Sequence, residues 1–145
     1  MPHHSIHISA ERVKEIAEYL DAGMLCFYHI STSTIDYYPD PLKNNMQEEE
    51  LWKDVMDKID VHCDEYIRFE GMDSRESFML MQSFIEAKCP IHLQERFSKA
   101  ITHKKPFQHF KSLLLDYPDL REDWFVYKNQ QYIAFVQNQI NRYDS

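Results

Sequence analysis

Residues 89–127 read CPIHLQERFSKAITHKKPFQHFKSLLLDYPDLREDWFVY, and this stretch decides the fold. Its prolines, Pro90, Pro106 and Pro118, stand where helices should begin. A proline fits the first turn because its missing N–H has no partner to lose there, and the residue before it avoids helical geometry. Leu93, Phe97, Ala100 and Ile101 make one helical stripe; Phe107, Phe110, Leu113 and Leu114 make the next. Asp119 and Glu122 have capping-box spacing ahead of a last helix running to about Tyr143, with Leu120, Trp124, Tyr127, Ile133, Val136 and Ile140 inward. The apolar-free KNQQ at 128–131 predicts a break or an exposed turn in it.

Upstream, the pattern changes period. Ser9 is an N-cap for a helix over 9–22, with Val13, Ile16, Ala17 and Leu20 on one face and Gly23 as the stop. Met24–Ile30 and Thr34–Tyr38 read as a hairpin around Ser31-Thr32-Ser33, closed by Pro39-Asp40-Pro41 and a linker to Asn45. A helix over 47–59 carries Leu51, Trp52, Val55, Met56 and Ile59, with Glu48–Glu50 at its positive end. Residues 61–70, VHCDEYIRFE, alternate as a strand. Asp73 and Glu76 box the start of a helix over 73–88, whose FMLMQ run reads as core rather than an adaptable groove. The expected fold is α+β: a small antiparallel sheet of about three strands packed against a mainly helical C-terminal half. Residues 1–145 are expected to form a single domain, with 1–8 a candidate disordered start or, through Ile6 and Ile8, a short edge strand.

Composition narrows the function classes. Net charge is −8, which disfavours generic nucleic-acid or anionic-membrane binding. The charge is polarised: residues 46–76 carry −7 and residues 77–111 carry +4. Only two glycines occur, which argues against glycine-rich phosphate loops and against a β-sandwich with many tight turns. Cys26, Cys63 and Cys89 contain no CxxC pair, so a zinc ribbon is excluded. The first twenty residues lack an apolar run and no stretch reaches the ~20 residues of a membrane span. A cytoplasmic protein with reduced thiols, no membrane association and no cofactor is expected.

Two candidate sites emerge. The first is the basic segment Arg96, Lys99, His103, Lys104, Lys105, His109 and Lys111, able to bind an anion or a partner. Lys104 and Lys105 also suit a helix C-terminus, where exposed carbonyls favour cations. The second is the polar face of strand 61–70, where His62, Asp64 and Tyr66 would share one side for acid–base work. His62 and Cys63 would then face opposite ways and could not pair. Cys89 ahead of Pro90 is either a buried thiol or an exposed one activated by a helix dipole. His3, His4 and His7 form a terminal cluster whose metal-chelating reading ranks below incidental histidines. No catalytic residue and no metal ligand set is assigned.

The aromatic and Met residues of Phe78–Phe84, then Leu93–Arg96–Phe97, Ala100–Ile101, Pro106-Phe107-Gln108-His109-Phe110-Lys111 and Trp124-Phe125 together carry a resemblance. The chain resembles the bacterial uncharacterised protein family 0158 of the UPF series, over most of 9–140 and most strongly over 78–125. That family shows a "grgaFrrFkd"-like stretch before a tryptophan. Here Lys105-Pro106 replaces the small residues before the first Phe, and His109 replaces a base. The resemblance implies a small cytoplasmic α+β bacterial protein with no activity to carry over. The residues favour a protein-interaction or regulatory module acting on an unknown protein partner or on itself. The alternatives are an RNA- or phosphate-ligand-binding protein using segment 96–111, and an enzyme with its site on strand 61–70.

Overall fold

The computed structural model of the chain describes residues 6–44 and 48–144. Two compact units divide it: Met1–Gly71 with Tyr132–Ser145, and Met72–Gln131. As expected, the fold is α+β, with a three-stranded antiparallel sheet and six α-helices among the described residues.

The first unit holds α1 (Ala10–Asp21), β1 (Met24–His29), β2 (Ile35–Pro39), α2 (Glu49–Val61) and β3 (Tyr66–Phe69). It also holds the second half of α6 (Pro118–Asp144). Ser9 caps α1, its hydroxyl accepting from the Arg12 N–H at 3.2 Å. Val13, Ile16, Ala17 and Leu20 are all buried, as their spacing requires. Gly23 stops the helix at φ +89°, a conformation that a side chain makes costly. Strand order is β2-β1-β3, with Cys26 opposite both Tyr37 and Phe69. Leu25, Cys26, Phe27 and Tyr28 are buried in succession, so central β1 is covered on both faces. Tyr19 of α1 stacks on Tyr37 at 4.0 Å. Leu25, Phe27 and Tyr66 pack with Ile59 of α2 in one cluster. The hairpin turn has no glycine, and Ser33 takes the positive φ in its place. In α6, Gln139 clasps the backbone of Glu70, donating to its carbonyl at 2.9 Å and accepting from its N–H at 3.3 Å.

The second unit comprises α3 (Ser74–Lys88), α4 (Ile91–Ala100), α5 (Pro106–Leu114) and the first half of α6. The Asp73–Glu76 capping box forms in both directions, at 2.7 and 3.1 Å. Phe84 is fully buried among Phe110, Trp124 and Tyr127, with ring centroids 5.2 to 6.3 Å away. Phe110 joins Phe97 to Trp124, at 5.8 and 4.9 Å. Within the FMLMQ run Met81 is core, whereas Met79 is exposed.

Several expectations are corrected. Residues 61–70 are not one strand: α2 runs through Val61, Cys63–Glu65 form a single 3-10 turn, and only Tyr66–Phe69 pair with β1. The reason lies in β1, which ends at His29; Ile30 makes one last bond to the Glu65 carbonyl and the chain then turns away. Residues before Glu65 therefore have no strand to join. Asp119 is not an N-cap, because Pro118 already occupies the first helical position. The helix continues through 128–131, because Lys, Asn and Gln keep their backbone bonds without apolar neighbours. Leu51, placed on the inward stripe of α2, is 72% exposed. Residues 6–8 form no strand, although Ile8 is buried. Residues 1–5, including His3 and His4, lie outside the described residues.

Candidate functional site

The basic segment is divided between two helices and the turn joining them. α4 ends at Ala100, and the chain reverses through 101–105 before Pro106 opens α5. Lys104 and Lys105 therefore do not sit in the last turn of α4. Lys105 is the N-cap of α5, in the left-handed conformation at φ 58°. A helix N-terminus carries partial positive charge and is a poor place for a cation. The helix-end explanation that suited these lysines in sequence does not hold for Lys105.

Arg96, Lys99, His103 and His109 line one groove between α4 and α5, about 420 Å³ in volume, with Asp116 as its one acidic lining residue. Arg96 is oriented by Tyr117, whose hydroxyl accepts from its Nη1 at 2.7 Å. Lys99 makes one loose, exposed pair with Glu95 at 3.5 Å. The His103 and His109 rings stand 5.3 Å apart. Lys111, on the next turn of α5, opens instead into a second groove of about 410 Å³ between α5 and α6. Ser112 lines both grooves, so they adjoin across α5. The second groove is walled by Leu115, Trp124 and Phe125, and its charged lining residues are Lys111, Arg121 and Lys128. Arg121 lies over the Phe125 ring at 4.8 Å and Lys128 at 5.3 Å. The sequence reading missed Arg121, Phe125 and Lys128. Their i, i+4 and i, i+7 spacing on α6 was the available signal.

The polar site of the first unit is rearranged. His62 caps α2, Asp64 lies in the 3-10 turn and Tyr66 faces the interior, so the three are not brought together. Their partners are residues the alternation did not nominate. His62 Nδ1 stands 2.7 Å from Glu65 Oε2, and the other Glu65 oxygen is 3.5 Å from His29 Nε2. The Tyr66 hydroxyl donates to Asp36 Oδ2 at 2.8 Å, which Lys58 also reaches at 3.1 Å. Burial, then the Asp36 carboxylate, raises the Tyr66 pKa, and the same carboxylate raises that of Lys58. This is a network that fastens α2 to the hairpin. Cys63 is exposed. Cys89 is buried with its thiol pKa raised by that burial, so it is not a dipole-activated thiol. Among the described residues no three His, Cys, Asp or Glu side chains gather as a metal site, and no helix is long and apolar enough to cross a membrane.

The fold and the paired grooves define a small α+β protein with a cationic, partly apolar face on its helical unit. The chain belongs to the Uncharacterised protein family (UPF0158), whose model matches residues 13–142. It is 32% identical over 62 residues to the UPF0158 protein PA5073 of Pseudomonas aeruginosa, a stretch covering 43% of this chain and 40% of that protein. The match thus spans about two fifths of that relative's length. No solved structure matches.

Proposed function

We propose that this chain is a small bacterial protein-interaction module that receives an acidic segment of a partner protein on the α4–α5–α6 face. One observation carries the reading. Two adjoining grooves are lined by Arg96, Lys99, His103, His109, Lys111, Arg121 and Lys128, against a single acid, Asp116. In a chain of net charge −8, such a face attracts acidic surfaces and raises the rate of productive encounter. Leu115 and Phe125 add the apolar contact that charge alone does not supply.

Protein is favoured over RNA as the ligand because single-stranded nucleic acids need open rings to stack on. Phe110 is buried and Phe107 is half-buried, so neither phenylalanine of the basic segment offers an open ring. Three unpaired thiols favour the cytoplasm as its place.

The test measures fluorescence polarisation of two labelled probes, a Glu-rich peptide containing leucine and an RNA oligonucleotide of equal length. The peptide should bind in a salt-dependent way. Its affinity should fall at least about tenfold when Arg96→Glu and Lys99→Glu are combined, as expected for lost charge-assisted contacts. RNA binding tighter than peptide binding, or peptide binding indifferent to those changes, overturns the proposal.

A further inference from the structure

We infer that the acidic segment received by this face is helix α2 of a second copy of the chain. The inference rests on the reading above and names its occupant. α2 is amphipathic in an unusual way. Val55 and Ile59 pack on the sheet cluster, while Glu50, Asp54 and Asp57, at i, i+4 and i+7, line the outer face, with exposed Lys53 beside them, so that face stays net acidic. Val61 continues that outer line and is 75% exposed; Leu51 stands at its shoulder, 72% exposed. Neither aliphatic is needed by the core of its own copy.

The α5–α6 groove offers the complement in kind. Its charged groups are Lys111, Arg121 and Lys128, and its apolar wall includes Leu115, which is 66% exposed, and Phe125. Three acids with two exposed aliphatics face three cations with two exposed apolar side chains. A partly apolar acidic helix lying in an apolar groove rimmed by cations is an established mode of recognition. The charge polarity of the chain, −7 over 46–76 and +4 over 77–111, favours pairing between copies in this sense over like against like. Helix and groove are different surfaces of one chain. The contact is therefore heterologous, and each copy can both give a helix and accept one.

That property supplies the test. A helix-side variant combines Leu51→Gln with Asp54→Asn. A groove-side variant combines Leu115→Gln with Arg121→Gln. All four residues are exposed, and neutral replacements create no new charge pairing. Sedimentation velocity of the wild-type chain at low salt should show concentration-dependent dimers and larger species that dissociate at high salt. Each variant alone should sediment as a monomer. Mixed, they should form a one-to-one dimer and nothing larger, since only one intact helix and one intact groove remain per pair. A wild-type chain that stays monomeric at low salt, variants that associate like wild type, or a mixture that stays monomeric overturns the inference. If the Glu-rich peptide still binds Arg96 and Lys99 in that case, only the occupant is wrong. If the peptide fails as well, the binding face falls with it.

Discussion

Arg96 donates through Nη1 to the Tyr117 hydroxyl at 2.7 Å, tying the charged face of α4 to the turn ahead of α6. The Tyr117 ring itself packs against buried Phe97 at 5.8 Å, so the hydroxyl is held from beneath. A long, exposed guanidinium is thereby given one preferred position over the groove. Tyr117→Phe removes the bond and keeps the ring. An exposed hydrogen bond contributes about 0.5–1.5 kcal/mol, so peptide affinity should fall roughly two- to tenfold. The thermal unfolding midpoint should fall by only a few degrees. Unchanged affinity in a polarisation titration would show that Tyr117 does not position Arg96.

The three thiols should differ sharply in reactivity. Burial pushes the Cys26 pKa up to about 12 and raises that of Cys89. Cys63 is exposed. A disulfide reagent at mildly alkaline pH should modify one thiol quickly in the native chain and three in denaturant. Cys63→Ser should abolish the fast phase.

The same burial makes stability fall in alkali. A raised folded-state pKa means that the native chain keeps a proton that the unfolded chain releases. The contribution of Cys26 is fully present below its ordinary value of 9.0 and is lost as pH climbs toward about 12. Urea midpoints measured across that interval should decline less steeply in Cys26→Ala than in the wild type. Parallel declines would assign the alkaline loss to other groups.

Asp73 closes the capping box at the head of α3. Asp73→Ala leaves the Glu76 N–H without its acceptor and should destabilise the chain by about 1 kcal/mol. The urea midpoint should shift with its slope unchanged, since the surface exposed on unfolding stays the same.

Phe84 is the hub of the aromatic core in the second unit, in contact with Phe110, Trp124 and Tyr127. Phe84→Ala should cost about 3–5 kcal/mol, through lost burial and the cavity left behind. Trp124 emission should shift to the red as water reaches the ring. Phe84→Leu, which keeps most of the volume, should cost clearly less. Equal losses in the two variants would mean that the cavity is not what destabilises.

Much of the helical framework was legible because its signals are local. A cap needs only Ser9 or the Asp73–Glu76 pair and the N–H groups beside it. Pro106 opens α5 for a reason contained in its own ring. The basic groove was half legible: Arg96, Lys99, His103 and His109 do line one groove, but Lys111 opens into the neighbouring groove. Arg121, Phe125 and Lys128 join that second groove from α6; their spacing puts them on one side of that helix, but only the packing of α6 against α5 brings that side to Lys111.

Periodicity, caps and charge are written in neighbouring residues, and they account for the α+β class, the α1 and α3 boundaries, the hairpin and the polarity of charge. The tertiary structure alone decided where β3 begins, because a strand exists only where another backbone offers its hydrogen bonds, and β1 offers them only as far as His29. It also decided that Leu51 and Val61 are left in solvent while Ile59 is buried. Inward is a direction that only the packed sheet defines.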